Sequence, residues 1–386
     1  MTNPARTVWV VYGTRPEVIK MAPVMKALRE RADCVLTAGV FAGQHRELAT
    51  DLFESLNMQP DIALDVTSEY ETLWDLAARC FTALGGLMER EQPDFVLVQG
   101  DTAAAFCSSL ISYFNRIRVG HVEAGLRSFA KYAPFPEEMM RKLTDCVADC
   151  HFAPTEYAAT NLHTEGIDPA SIFITGNTVI DAVWHAAELA EEYVSRKTRE
   201  WVAAAGGYVV VTLHRRESFG DDMSRLMHAI ASYARDNPNV KFIYPVYPEP
   251  NVRMAVNTIL QGIDNVHLSD PVDYFDMVYL IKNCLTVLTD SGGVQEEAPA
   301  LGKRVLVART VTERPEGVEA GMAQLVGFDE REILKGLNRE IERALEVEAT
   351  EVTTTPYGDG KAGERIADIV ISELCNVQRR TKDWRG

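Results

Sequence analysis

The chain has 386 residues, 46% hydrophobic and 25% charged, the composition of a soluble globular protein. Single cores stop growing near ~250–300 residues, so the length predicts two domains. A net charge of −17 with no basic segment argues against a phosphate-tracking nucleic-acid binder, although a few local Arg or Lys residues still suffice for a small anionic ligand.

In chain order, "TVWVVYG" (7–13) reads as a strand and "PEVIKMAPVMKALRER" (16–31) as a helix with proline in its first turn. The strand "CVLTAGVF", helical stretches at 44–56 and 70–91, and the strand "DFVLVQG" (94–100) follow. "DTAAAFCSSLISYFN" is helical, "RVGHVEAG" a strand, "EEMMRKLTDCVA" a helix, and "CHFAPT" and "IFITGN" two more short strands. The second half repeats the plan with "YVVVTLH" (208–214), "KFIYPV" (241–246), "NVHL" (265–268), "LTVLT" (285–289), "RVLVA" (304–308) and "AQLVG" (323–327). Buried, β-branched strands alternating with helices mean parallel sheets. The expected fold is therefore α/β: two Rossmann-like doubly wound domains, residues 1–177 and 178–360, facing across a cleft. The stretch from 361 to 386 opens with an amphipathic helix expected to pack back on the first domain.

No apolar run reaches the ~18–20 residues of a membrane span, and "MTNPARTVWVVYG" lacks a signal-peptide layout. Seven scattered cysteines, an odd number mostly in apolar contexts, fit a reducing cytoplasm. "CVADCH" (146–151) has no second cluster at metal-ligand spacing, so no metal site is expected.

Polar clusters recur at strand ends, where doubly wound sheets bind ligands. "GTRPEVIK" puts Arg15 and Lys20 beside a helix N-terminus, a natural anion site, without a dinucleotide GxGxxG. Asp101 in "GDT" sits at a strand end and at the candidate N-cap of the next helix. "GHVEAGLRS" supplies Glu123, a carboxylate among small and apolar residues that must be paired or functional. "PFPEEMMRK" adds Glu137, Glu138 and Arg141; answering the helix dipole accounts for one of the two acids. Three acids on neighbouring strand ends suit general acid and base work with separated pKa values.

In the second half, "TLHRRESFG" supplies His214 and Arg215. "LTDSGGVQEEAPALGK" puts Ser291, Gly292 and Gly293 at a helix start, where bare amides and the dipole cradle phosphate, and then Glu297, a carboxylate suited to ribose hydroxyls. Arg314 lies in a further polar loop, "TERPEGVEAG". "IYPVYPEPNV" (243–252) is stiffened by three prolines, with Tyr247 and Glu249 at its crest and Asn251 where a helix begins.

Taken together, these motifs resemble the non-hydrolysing bacterial UDP-N-acetylglucosamine 2-epimerases, nearly end to end and in order. The resemblance implies a glycosyltransferase-B type fold, no cofactor and no metal. It also implies an isomerase interconverting UDP-N-acetylglucosamine and UDP-N-acetylmannosamine: UDP is eliminated to leave 2-acetamidoglucal, then added back. By the same match Asp101, Glu123 and Glu137 are the implied catalytic carboxylates, with the assignment of each to a face left open, and His214, in a motif that lines the cleft, is the fourth implied catalytic residue. Arg15, Lys20, Arg141, Arg215, Ser291, Gly292, Gly293, Glu297 and Arg314 are the implied substrate contacts. Met277 falls near the uracil position, where the family often has an aromatic. Gln44, Arg46, Glu47 and Tyr70 correspond to a regulatory region in substrate-activated members, Tyr70 replacing a basic residue.

The chain departs from the family at Tyr247, where a histidine is usual beside the diphosphate. Tyr247 is not cationic near neutral pH, and Glu249 adds negative charge, so altered leaving-group stabilisation is expected. A hydrolysing epimerase releasing UDP and N-acetylmannosamine is therefore the alternative, with a related UDP-hexosamine substrate, a glycosyltransferase and a non-catalytic sugar-nucleotide binder behind it. The resemblance further suggests a homodimer serving polysaccharide or antibiotic biosynthesis.

Overall fold

The computed structural model describes residues 6–43, 52–64, 66, 72–215, 219–346, 352 and 354–386. Gln44, Arg46, Glu47 and Tyr70 lie outside the described residues. The chain forms two units, Met1–Ala182 with Tyr357–Gly386, and Val183–Pro356.

In the first unit, β1 (Arg6–Tyr12), β2 (Val35–Phe41), β3 (Ile62–Ala63), β4 (Phe95–Gln99), β5 (Arg118–Val122), β6 (Cys150–Ala153) and β7 (Ile172–Ile174) form one sheet. Its order is β3-β2-β1-β4-β5-β6-β7, and every pairing is parallel. The order reverses between β1 and β4, so the crevice beyond their carboxyl ends is where such a sheet binds ligands. Valines and aromatics fill the middle of β1 and β4, both buried through their central residues because helices cover each face. The helix Ala362–Cys375 packs on the helix Arg15–Arg29 so closely that a Cβ on Gly363 would come within 2.7 Å of the Pro23 backbone.

The second unit holds β8 (Tyr208–Thr212), β9 (Lys241–Pro245), β10 (Val266–Ser269), β11 (Thr286–Thr289), β12 (Val305–Val307) and β13 (Ala323–Leu325). They run parallel in the order β10-β9-β8-β11-β12-β13, with the switch between β8 and β11. The helix Thr178–Tyr193 carries the chain from one unit into the other.

Two local expectations need correcting. Thr102, not Asp101, caps the helix Ala103–Phe114, accepting from the Ala105 amide, which leaves the Asp101 carboxylate for another partner. In "IYPVYPEPNV" the helix begins at Pro250, capped by Glu249, and not at Asn251. Proline at the first helical turn needs no amide partner, and a carboxylate before it can reach the Val252 N–H. Pro245 is tolerated at the end of β9 because pairing with β8 stops at Ile243. It faces only β10, and the ladder resumes with Val246 N–H donating to the Ser269 carbonyl.

Candidate active site

In the first unit, the loop after β1 and the loop after β4 are joined by Glu17. A Thr14–Glu17 capping box opens the helix Arg15–Arg29. Glu17 Oε2 accepts from the Gly13 and Thr14 amides at 2.9 and 2.7 Å, and Oε1 accepts from the Thr102 hydroxyl at 2.7 Å. Burial raises the Glu17 pKa against these lowering bonds. The Arg15 side chain, partly exposed beside it, makes no hydrogen bond or ion pair with another described residue.

The three candidate acids occupy different settings. Asp101 Oδ2 accepts from Arg141 through Nε at 3.0 Å and through Nη2 as well, a two-nitrogen clasp. Glu123, the residue after β5, adopts φ +69, a conformation that costs a straight-chain residue of order 1–3 kcal/mol. Its carboxylate accepts from Lys20 Nζ at 2.5 Å and from Gln99 Nε2 at 2.9 Å. Lys20 and Arg141, expected to meet the substrate, are thus engaged with acids of the site. Glu137 opens the helix Glu137–Val147, and its buried Oε2 has no hydrogen-bond partner. Glu138 is the structural member of the pair: it is buried, takes the Ser128 and Phe129 amides at 3.0 and 3.1 Å, and touches Arg141 Nη1 at 3.4 Å.

Behind these acids lies a buried charge network. His121 Nδ1 meets Asp145 Oδ1 at 2.5 Å and Nε2 meets the Gly100 carbonyl at 2.8 Å. Asp145 Oδ2 also accepts from Arg127 Nη2 at 2.7 Å. Burial works to raise the Asp145 pKa, but His121 and Arg127 outweigh it and the net direction is down. Arg127 in turn donates to Glu165, which Lys142 also meets at 3.0 Å.

In the second unit the switch between β8 and β11 is stitched by Asp290. Fully buried, it accepts from the His214 amide at 2.9 Å and the Arg215 amide at 2.9 Å, while His214 Nδ1 stands 3.3 Å away. Burial lowers the His214 pKa and raises that of Asp290. The His214 ring lies 5.3 Å from that of half-exposed Tyr247, tilted by 39°.

Ser291 is the N-cap of the helix Gly292–Ala300, yet its side chain makes no capping bond, so the first-turn amides lack that partner. Over this turn lies Arg314: a Cβ on Gly292 would come within 2.8 Å of its Nη1, whereas nothing lies within 4 Å of one on Gly293. Arg314 Nε donates to buried Glu296 at 2.7 Å, and Nη1 approaches Glu313 at 3.4 Å. Burial tends to raise the Glu313 pKa, but Arg309 and Arg314 hold it at about 2. Glu297 lies partly buried in the same helix, and Met277 partly buried against the core of Tyr208, Ile281 and Val294. Glu249 is engaged as a cap, accepting from Val252 N–H at 3.1 Å and Asn251 Nδ2 at 2.8 Å, so its charge faces a helix terminus.

Arg15 and Asp101 follow the two strands of the first switch point, and His214, Arg215 and Ser291 those of the second. Glu123 instead follows β5, Glu137 opens a later helix, Arg314 follows β12 and Met277 packs into the core. Glu17, Gln99 and Asp145 were not singled out from sequence; only Glu17 carries a readable signal there, the Thr-x-x-Glu capping pattern. Among the described residues, no group of three or more His, Cys, Asp or Glu side chains is placed to hold a metal ion, and no helix is long and apolar enough to cross a membrane.

Residues 26–371 match the family model described as UDP-N-acetylglucosamine 2-epimerase. The Escherichia coli UDP-N-acetylglucosamine 2-epimerase is 42% identical over 378 residues, covering 96% of this chain and 100% of its own. The structure of the Neisseria meningitidis UDP-GlcNAc 2-epimerase bound to UDP-GlcNAc superposes with a TM-score of 0.86 at 35% identity, covering 96% of this chain and 100% of that one. An S. aureus protein solved with UDP gives a TM-score of 0.88 at 37% identity, covering 98% and 100%.

Proposed function

The chain belongs to the UDP-N-acetylglucosamine 2-epimerase family, and we propose that it interconverts UDP-N-acetylglucosamine and UDP-N-acetylmannosamine without hydrolysis. The proton at sugar carbon 2 is weakly acidic, so removal needs a held carboxylate and a simultaneous outlet for electrons. As a base takes that proton, the C2–H pair becomes the C1=C2 bond, and the C1–O bond breaks to release UDP. In the return step a β-phosphate oxygen of UDP attacks C1 and a carboxylic acid delivers a proton to the opposite face of C2.

Asp101, Glu123 and Glu137 are the proposed acids and bases of this exchange. The observation that carries the reading is the buried Glu137 Oε2 without a partner: such an oxygen costs about 1–3 kcal/mol unless something meets it. Asp101 and Glu123, clasped by Arg141 and Lys20, are held as ion pairs at the ends of adjacent strands. The proposed diphosphate contacts are Arg15 and the turn Ser291-Gly292-Gly293, with Arg314 over it and with His214 and Arg215. Preorganised donors of this kind stabilise charge developing on a leaving group. Glu297 is the proposed ribose partner and Met277 the uracil contact.

A homodimer fits the exposed aromatics Trp74, Tyr113 and Phe114 on the packed helices Leu73–Glu91 and Ala103–Phe114. Seven free cysteines suit a cytoplasmic setting.

The test is incubation with UDP-N-acetylglucosamine in heavy water, followed by proton and phosphorus NMR. Deuterium at carbon 2 in intact UDP-N-acetylmannosamine is expected. Free UDP with N-acetylmannosamine would indicate hydrolysis instead, and no exchange at carbon 2 would reject both.

A further inference from the structure

Both ring nitrogens of His121 face acceptors. Nε2 meets the Gly100 carbonyl, which can only accept. Nδ1 meets an Asp145 carboxylate that already takes Arg127 Nη2 and, at 3.4 Å, the Gly125 amide. With Arg127 and Gly125 both on Oδ2, Asp145 turns Oδ1 to the ring, so each His121 nitrogen is placed to donate. The ring has no exposed surface, and a buried cation persists only where it is paired and hydrogen-bonded. The charges facing it alternate: Asp145 is shared with Arg127, Arg127 with Glu165, and Glu165 with Lys142.

Those contacts point at the acids of the site. Gly100, at φ +70, donates its amide to Val122 O at 3.0 Å, which holds the Gln99–Gly100 peptide, while His121 holds its carbonyl and so the Gly100–Asp101 peptide. Asp101 is the next residue. Asp145 reaches the loop after Glu123 through the Gly125 amide, and on its own helix it stands four residues after Arg141 and eight after Glu137, on one face.

We propose that His121 and Asp145 are positioning residues for the epimerisation, a buried imidazolium–carboxylate pair that sets the Gly100 peptide and thereby the Asp101 carboxylate. The proposal rests on the reading that Asp101 acts in proton transfer. Misplacing a reacting group by about 1 Å costs about 10²-fold in rate, which sets the expected effect.

Two substitutions separate positioning from plain structural support. His121→Gln places an amide N–H near the position of Nε2 and keeps the Gly100 bond; His121→Asn places it near Nδ1 and loses that bond. The expected result is a kcat about 10²-fold below wild type for H121N, with KM and UDP affinity within about threefold, and a kcat within about tenfold for H121Q. Equal loss of kcat in the two variants, small or large, would overturn the proposal. A second measurement needs no variant: ¹⁵N-histidine NMR of the wild-type protein near pH 7. Protons on both His121 nitrogens support the pair; a singly protonated ring overturns it. If wild-type protein fails to exchange carbon 2 at all, the epimerase reading falls, while the NMR result still decides the state of His121.

Discussion

Lys20 Nζ stands 2.5 Å from Glu123 Oε2, and both side chains are nearly withdrawn from water. Removing one partner of such a pair leaves the other buried and charged, at a cost toward about 3 kcal/mol. Lys20→Met is therefore predicted to lower the urea midpoint and kcat together, Gln99 remaining as a donor to Glu123. Unchanged stability and turnover would show that the ammonium does not hold the carboxylate.

Gly292 is pressed by Arg314, whose guanidinium Glu296 and Glu313 restrain. Overpacking of this kind costs roughly 1–3 kcal/mol of stability and is relieved only by moving the Arg314 guanidinium off the turn it covers, away from the proposed diphosphate site. Gly292→Ala should weaken UDP binding by about tenfold or more by calorimetry. Gly293→Ala meets nothing within 4 Å, so any loss it causes reports the ligand's own need for a bare turn.

Asp181 holds the Ala362 and Gly363 amides at 3.2 and 2.9 Å, at the start of the C-terminal helix. Burial, with Asp359 adding to it, raises its pKa from 3.8 to about 6 despite those bonds. Between those values the folded chain keeps a proton that the unfolded chain has lost. Stability from this group is therefore highest at the acidic end of the window and declines as pH rises toward 6. Asp181→Asn should flatten that part of the urea-midpoint profile; an identical slope in the variant would refute the assignment.

Tyr247 stands with its ring 5.3 Å from that of His214, in a loop bounded by Pro245 and Pro248. Tyr247→His places an imidazole that can carry charge beside the proposed diphosphate site. The expected outcome is an altered kcat or an altered dependence of rate on UDP-N-acetylglucosamine concentration, read from initial velocities. Identical kinetics would make the position silent.

The two sheets were legible because their strands are short, buried and β-branched, and because polar residues follow them at each switch point. Caps were less legible. Asp101 and Thr102 are both good capping residues side by side, and only the backbone decides that Thr102 takes the role. Glu249 is a poor cap by preference, so Asn251 looked better until proline claimed the first helical turn. Glu137 and Glu138 are indistinguishable as letters, yet one closes on two amides and the other leaves an oxygen bare. Asp145 sits mid-helix among polar neighbours, where a solvent-facing aspartate is the ordinary reading, and its partners are 18, 20 and 24 residues away in the chain. Contacts of that kind belong to the folded chain and leave no local pattern.

The most direct measurement is carbon-2 deuterium incorporation from heavy water by Glu137→Gln, with UDP affinity recorded on the same protein. The variant keeps the size of the side chain and removes its ability to take or give the proton. General acid–base roles contribute about 10²–10⁴-fold, so incorporation is predicted to fall by at least about 10²-fold while UDP still binds. Incorporation at the wild-type rate would contradict the account.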